Sequence, residues 1–407
     1  MRRLSLIACL PLVAFAAASL REVEARANQL KSKGDAAGAL AAYEEAAALD
    51  PKSARYQDEI GFLLAVLNRR DEAVAHFKHA LDLDVRFAPA HYHLGVLLWL
   101  AGDQPASIPE LQTAAALDAK NADYQARLGE ALDSTGKTAE AIPHIKAATT
   151  LNPSNGAEWT RLGTALQKTN DAAGAIDAYR HALDANPKDL DARNNLGMML
   201  IKTRHPDEGI AEFNKVLAID TTNNTARFNI GFAHLQRKEL DEAIIVFRDV
   251  IARDPKMAAA YYNLGVALKD KDDIDAAKIE FQRALAVDPN LAEAHYMLGI
   301  AHWQSGEFDE AAQQMHAAIA IQPDYAEAYF MLGTALKQKG DLAAAEESLR
   351  TAIRLDPNDP GPYNTLGQLL RQKGDIAGSQ TIFAQGARVK RTKEAELGKM
   401  LQKSPAK

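Results

Sequence analysis

Few residues have the types and spacing to do chemistry. Histidines pair up at His76 with His79 and at His91 with His93, and imidazole is the commonest side-chain metal ligand. Two residues apart on a helix, His91 and His93 point to different faces and cannot readily share an ion. His76 and His79 can face together, but no third ligand lies near them in sequence. These histidines are therefore expected at the surface, with no metal held. Cys9 is the only cysteine. The glycines come one per helix and form no phosphate-cradling loop. The chain reads as non-catalytic and without a cofactor. What remains is a set of amides and rings at a repeating interval. Asn195, Asn229 and Asn263 lie 34 residues apart, and an amide offers one acceptor and two donors, so it can pair an extended backbone in both directions.

That interval runs through the whole chain. Glycine recurs at 61, 95, 129, 163, 197, 231, 265, 299, 333 and 367, with every gap 34 residues, the mark of a repeat architecture. One further copy fits upstream, with Ala27 in the glycine position. Eleven repeats then start at 20, 54, 88, 122, 156, 190, 224, 258, 292, 326 and 360 and run to 393 without insertion. Let this glycine be position 8. Position 7 is then Leu or Ile from repeat 2 on, position 20 is small, and position 24 is large, as at Tyr43, Phe77 and Phe281. Position 32 is proline at Pro51, Pro153, Pro187, Pro255, Pro289, Pro323 and Pro357.

Positions 4, 7, 8 and 11 share one helical face. Small residues at 8 and 20 let two helices approach closely, and the bulky residue at 24 fills the space beside them. Gly or Asn at position 15 tolerates the left-handed conformation that ends a helix, and proline at 32 stops the second helix. Each repeat is thus a helix–turn–helix hairpin that buries its apolar face only by stacking on its neighbours. Pro109 and Pro143 fall inside second helices and are expected to bend or delay them. Residues 394–407, "EAELGKMLQKSPAK", read as a short capping helix with a loose basic tail.

The pattern resembles the tetratricopeptide repeat over nearly the whole chain. Period, glycine, small–large–small spacing and terminal proline all agree, with Val85, Ala119 and Thr221 as the exceptions to the proline. The resemblance implies an all-α solenoid, a right-handed superhelix whose first helices line a concave groove, and a protein or extended peptide as partner. Groove-facing positions are then 2, 5, 6, 9, 12 and 13, about 80° to 200° round the helix from position 4. Two sets of candidates follow. Phe62, Tyr92, Val96 and Trp99 form an apolar set in repeats 2 and 3. The helix "HYHLGVLLWLAG" is apolar nearly all round and should be covered, either by a partner, a second copy or a neighbouring turn of the array, or by packing of Tyr92 and Trp99 between neighbouring first helices. The other set is Asn195, Asn229 and Asn263 at position 6, joined by Phe228, Tyr262 and Tyr296 at position 5 and Trp303 at position 12. This run resembles the asparagine ladder in the repeat domain of the O-linked N-acetylglucosamine transferase, although Met297, Met331 and Thr365 break it. The alternative is that the amides bridge neighbouring helices. The carboxylate clamp of heat-shock co-chaperones is not expected, because no repeat has lysine at position 5.

The formal net charge of −7 argues against a general nucleic-acid binder, which needs a basic face. No apolar run is long enough to cross a bilayer as a helix. The start, "MRRLSLIACLPLVAFAAAS", has the basic, apolar and small-residue layout of a secretory signal. Residues 1–18 are expected to be removed after Ala16 or Ala18, taking Cys9 with them and placing the chain in the periplasm or outside the cell. Losing Arg2 and Arg3 takes the charge from −7 to −9. The sequence thus reads as an interaction scaffold. An accessory subunit of an envelope machine (polysaccharide synthesis, export or secretion) is one alternative. The substrate-binding repeat module of a separately encoded glycosyltransferase is the other.

Overall fold

The computed structural model describes residues 19–403, and the expected signal lies outside them. The described residues form twenty-two helices and no strand, so the all-α expectation holds. First helices occupy about positions 1–13 of each repeat and second helices positions 17–30, as in Ala258–Asp270 and Ile274–Val287 of repeat 8. The described chain divides between Met199 and Leu200 into two compact units. The division falls inside the first helix of repeat 6, Leu190–Lys202.

Within the hairpins the bulky side chain at position 24, a ring in most repeats, sits on the position-8 glycine itself. A Cβ on Gly265 would lie 2.7 Å from the Phe281 ring, and one on Gly163 would lie 2.5 Å from Tyr179. Any side chain there would displace a ring that is fully buried, and overpacking of this kind costs about 1–3 kcal/mol. Where position 20 is serine, its hydroxyl adds a bond across the same contact. Ser107 donates to the Gly95 carbonyl and Ser379 to the Gly367 carbonyl, both at 2.7 Å.

Three devices end and restart the helices. Position 15 is left-handed throughout, at glycine six times and at Asn68, Asn170, Arg204, Lys238 and Asp272 with φ of 60° to 67°. At position 16, Asp35, Asp103, Asp171, Asp273, Asp341 and Asp375 accept from a backbone N–H three residues on, capping the second helix. At position 31 an Asp or Asn folds the chain into an Asx turn, its side-chain oxygen accepting from the N–H two residues later. This bond forms at Asp50, Asp84, Asp118, Asn186, Asp220, Asp254, Asp288 and Asp356.

Position 31 corrects the weight given to proline. Repeats with Val85, Ala119 and Thr221 after the Asp end their second helices like the others. It also explains the C-terminus. Repeat 11 has Lys390 and Arg391 where the other repeats have Asp, Asn or, in repeat 9, Gln322 before Pro323, and its second helix runs unbroken as Ile376–Lys403. The separate capping helix expected after Lys393 is therefore not present as such, because nothing at 390–391 stops the helix. Pro109 and Pro143 do not delay their helices, Gln104–Leu117 and Thr138–Leu151. The carbonyls they leave open, of Pro105 and Ala139, belong to exposed residues where water can bond them. No helix among the described residues is long and apolar enough to cross a membrane.

Candidate interaction surface on the first helices

Ion pairs trace which positions share a surface in the first unit. Lys31 at position 12 reaches Glu59 at position 6 of the next repeat, 2.5 Å away, and stands 4.7 Å above the centre of the Phe62 ring at position 9. Positions 6, 9 and 12 of adjoining repeats therefore meet. The same face holds Arg55–Glu24 at 2.7 Å, His93–Asp58 at 2.8 Å and Lys168–Asp133 at 2.8 Å. Arg161 reaches Glu158 at 3.2 Å and Glu130 at 3.5 Å. Exposed pairs contribute only about 0–1 kcal/mol each, but together they neutralise this face.

The aromatic candidates of the first unit are largely engaged by neighbouring helices. Tyr92 packs on Tyr124 with ring centroids 4.6 Å apart, and the His93 ring lies 5.4 to 5.7 Å from Phe62, Tyr92 and Phe77. For Tyr92 the packing alternative is what the structure has, and burial pushes its phenol up. Val96 and Trp99 are half-buried. The apolar groups left open here are Val66 and Leu100, 58% and 63% exposed.

The second unit presents a different surface. Position 5 carries a ring in four successive repeats: Phe228, Tyr262, Tyr296 and Phe330, all half-buried. Each borders the core on one side. Phe228 lies 5.6 Å from Phe247, Tyr262 lies 6.0 Å from Phe281, and Tyr296 lies 5.0 Å from Tyr325. Burial pushes the Tyr262 and Tyr296 phenols up, so both stay neutral at physiological pH. Phe330 was not among the sequence candidates, although it sits in the register that singled out the other three. Trp303, half-buried, packs against the adjoining core cluster, and its indole nitrogen is buried without an acceptor among the described residues.

The amides differ among themselves. Asn195 is half-buried and belongs to the first unit, whereas Asn229 and Asn263 belong to the second. Asn229 is only 7% exposed. Asn263 donates to the Ala259 carbonyl of its own helix, one turn back, at 2.8 Å. That bond is local, so Asn263 does not use it to bridge neighbouring helices.

The histidines are not all surface groups, which corrects the expectation for His91. It is buried, with Nδ1 2.5 Å from a Glu110 oxygen and Nε2 donating to the Val85 carbonyl at 2.9 Å. His76 is half-buried against Gln57 at 2.8 Å, and burial pulls its imidazole below the usual range. Among the described residues no group of three His, Cys, Asp or Glu could hold a metal ion.

Comparison with known proteins agrees with this architecture. The family model for the tetratricopeptide repeat matches residues 63–122, 105–156, 160–224, 222–258, 233–292, 262–326 and 296–360. The chain belongs to the tetratricopeptide repeat family. Among solved structures it is similar to a tetratricopeptide repeat protein from Parabacteroides merdae ATCC 43184, at 16% identity and a TM-score of 0.53 over 61% of this chain and 98% of that one. It is also similar to yeast Tom70, at 16% identity and a TM-score of 0.48 over 94% of each chain. A further match is YrrB, described as a TPR protein with an unusual peptide-binding site, at 24% identity and a TM-score of 0.38 over 46% of this chain and 97% of that one. No curated protein matches the chain.

Proposed function

We propose that this protein is a non-catalytic scaffold, exported from the cytoplasm, that holds an extended segment of a partner protein on the first helices of its second unit. The observation that carries the reading is the row Phe228, Tyr262, Tyr296 and Phe330. Four rings recur at repeat spacing, each half-open and half-anchored in the core. Anchored rings offer apolar area with little rotamer entropy left to lose, the property of residues that dominate interfaces. Asn229 and Asn263 stand beside them in sequence, and Asn263 retains an amide oxygen and a second N–H beyond its bond to Ala259. The first unit is the weaker candidate, because its charges are paired and Tyr92 is packed.

A photo-crosslinking residue at position 262 or 296, in protein made in its native cell, tests the reading. Covalent adducts with a polypeptide are expected there and not from the same residue at position 282 of a second helix. Equal labelling at all three sites would count against it. An accessory role in an envelope machine, or service to a separate glycosyltransferase, would use the same surface, and the partner's identity separates them. Export is supported by the Arg2–Arg3 start and the apolar run after it. Mass analysis of the N-terminus should find residues 1–16 or 1–18 missing. A retained Met1 in a cytosolic fraction would remove that part of the proposal.

A further inference from the structure

We infer that the stripe on the second unit takes an acidic, apolar peptide whose carboxylates seat on Lys337 and Arg371. This rests on the peptide-binding reading above and adds the chemistry of the ligand. Position 12 of repeats 9, 10 and 11 is Trp303, Lys337 and Arg371. In the first unit four cations on the corresponding face have carboxylate partners: Lys31 with Glu59, Arg55 with Glu24, Arg161 with Glu158, and Lys168 with Asp133. In the second unit Lys238 and Lys269 share Asp270 at 2.7 and 3.0 Å. Further along, Lys339 is paired with Asp309 and Lys373 with Glu346.

Lys337 and Arg371 differ from the other position-12 cations, Lys31 and Lys269, which are paired with carboxylates. Lys337 donates to the amide oxygen of Gln368 at 2.9 Å, a neutral acceptor. Arg371 is exposed, and neither cation has a carboxylate partner among the described residues. The Lys337–Gln368 bond joins position 12 to position 9 of the next repeat, the geometry seen for Lys31 over Phe62. Lys337 therefore stands on the same face as Ile300, Phe330 and Met331. A wholly apolar peptide laid on those rings would leave two cations partly desolvated and unpaired, which is costly. A basic peptide would be repelled. Carboxylates complete the surface with charge-assisted hydrogen bonds, two-pronged at Arg371. The surface is also sided. Glu293 and Glu327 occupy position 2, about 15 Å along the helix axis from position 12, so acidic residues are favoured along one edge only.

The test is fluorescence anisotropy of the full chain with three labelled peptides of about twelve residues, extended to roughly 40 Å. All alternate Phe or Leu with one polar residue, which is Glu, Gln or Lys. The Glu peptide is expected to bind at least about tenfold tighter than the Gln peptide, and the Lys peptide weakest. The double variant Lys337→Glu, Arg371→Glu should reverse the order, weakening the Glu peptide and strengthening the Lys peptide. That gain cannot come from misfolding. If all three peptides bind equally and Tyr262→Ala with Tyr296→Ala abolishes binding, the stripe is a peptide site without acidic preference and this inference falls alone. If none binds more tightly than about 100 µM, both the inference and the reading beneath it fall.

Discussion

The indole Nε1 of Trp159 donates to the backbone carbonyl of Pro153, 3.0 Å away. Trp159 is position 4 of its repeat and Pro153 is position 32 of the one before. The same bond recurs at six other junctions with other chemistry. His91 reaches Val85, Gln125 reaches Ala119, Arg193 reaches Pro187, Arg227 reaches Thr221, His295 reaches Pro289 and Tyr363 reaches Pro357. Each satisfies a carbonyl that the inter-repeat turn takes out of the helix. The shared property at position 4 is a donor of the right reach, not a residue type.

Trp159→Phe isolates that bond. The ring can keep its place on His181, whose centroid is 4.5 Å away, and only the N–H is lost. We expect a stability loss of about 0.5–1.5 kcal/mol, read as a lower urea midpoint of the full chain. An unchanged midpoint would mean that water replaces the indole at no cost.

Asp118→Ala should cost more than Asp254→Ala. Both remove the acceptor for the N–H two residues on, at 3.2 and 3.0 Å. Only the second site keeps a helix-stopping proline, Pro255, since residue 119 is alanine. Loss of the turn at Asp118 is expected to cost about 1–2 kcal/mol and to let the helix Gln104–Leu117 extend, which amide exchange at 118–121 would detect. Equal effects at both sites would return the helix stop to the 34-residue packing itself.

The hairpins were legible in the sequence because their determinants are one-residue choices repeated in register: glycine under a ring, a small residue opposite, a left-handed position 15. The helix stop was legible only in part. Proline is conspicuous, whereas the Asp at position 31 acts through a side-chain oxygen that looks like any surface carboxylate until its N–H partner is placed. For the same reason the helix running through Lys390 was unforeseen. The candidate surface was half-legible. Position 5 picked out Phe228, Tyr262 and Tyr296, which are half-buried, but sequence could not say that Tyr92 would be taken by Tyr124 of the next repeat. Nor could it show which cations had carboxylate partners, because those partners lie in adjacent repeats.

Asp272→Gly should stabilise the protein. Asp272 is held at φ 67°, a conformation that costs a non-glycine residue roughly 1 kcal/mol and glycine almost nothing. Glycine's extra freedom in the unfolded chain offsets part of the gain, so the expected increase is about 0.5–1 kcal/mol in urea denaturation. Gly340→Ala, at φ 86°, should lose a similar amount. A destabilised Asp272→Gly would indicate that the carboxylate does something at this turn beyond accepting the strain.

Alkaline pH above about 10 should weaken the first unit. The phenols of Tyr43 and Tyr124 are pushed up to about 12, chiefly by burial, with Glu59 adding to the effect at Tyr43 and Asp58 at Tyr124. The Tyr43 hydroxyl also donates to Asn28 at 2.7 Å, a bond that needs its proton. Both folded-state values lie above that of an unfolded tyrosine, near 10. Their contribution is therefore intact below about pH 10 and is lost as pH rises towards 12, on the order of 1–3 kcal/mol each. Tyr43→Phe and Tyr124→Phe should flatten that decline. If the wild type and both variants lose stability in parallel between pH 10 and 12, other groups drive the loss.

The double variant Asn229→Ala, Asn263→Ala decides what the amides are for. Asn263 bonds its own helix through Ala259, and such a bond adds little, since asparagine is a poorer helix former than alanine by several tenths of a kcal/mol. Asn229, though 7% exposed, makes no side-chain hydrogen bond to another described residue, so replacing it leaves no partner stranded. We therefore expect melting within roughly ±0.5 kcal/mol of wild type. Binding should respond differently. Two amides that each hold a peptide backbone group contribute about 0.5–1.5 kcal/mol apiece, so their joint loss weakens a partner roughly 5- to 150-fold. Anisotropy with the Glu peptide, beside a thermal melt of the same preparation, reads both quantities. A stable variant that binds like wild type would leave the rings and cations as the whole site, and the amides as residues the helix merely tolerates. A variant that unfolds several degrees early would mean that Asn229 supports the core packing around Phe228 and that the bridging alternative was right for that repeat.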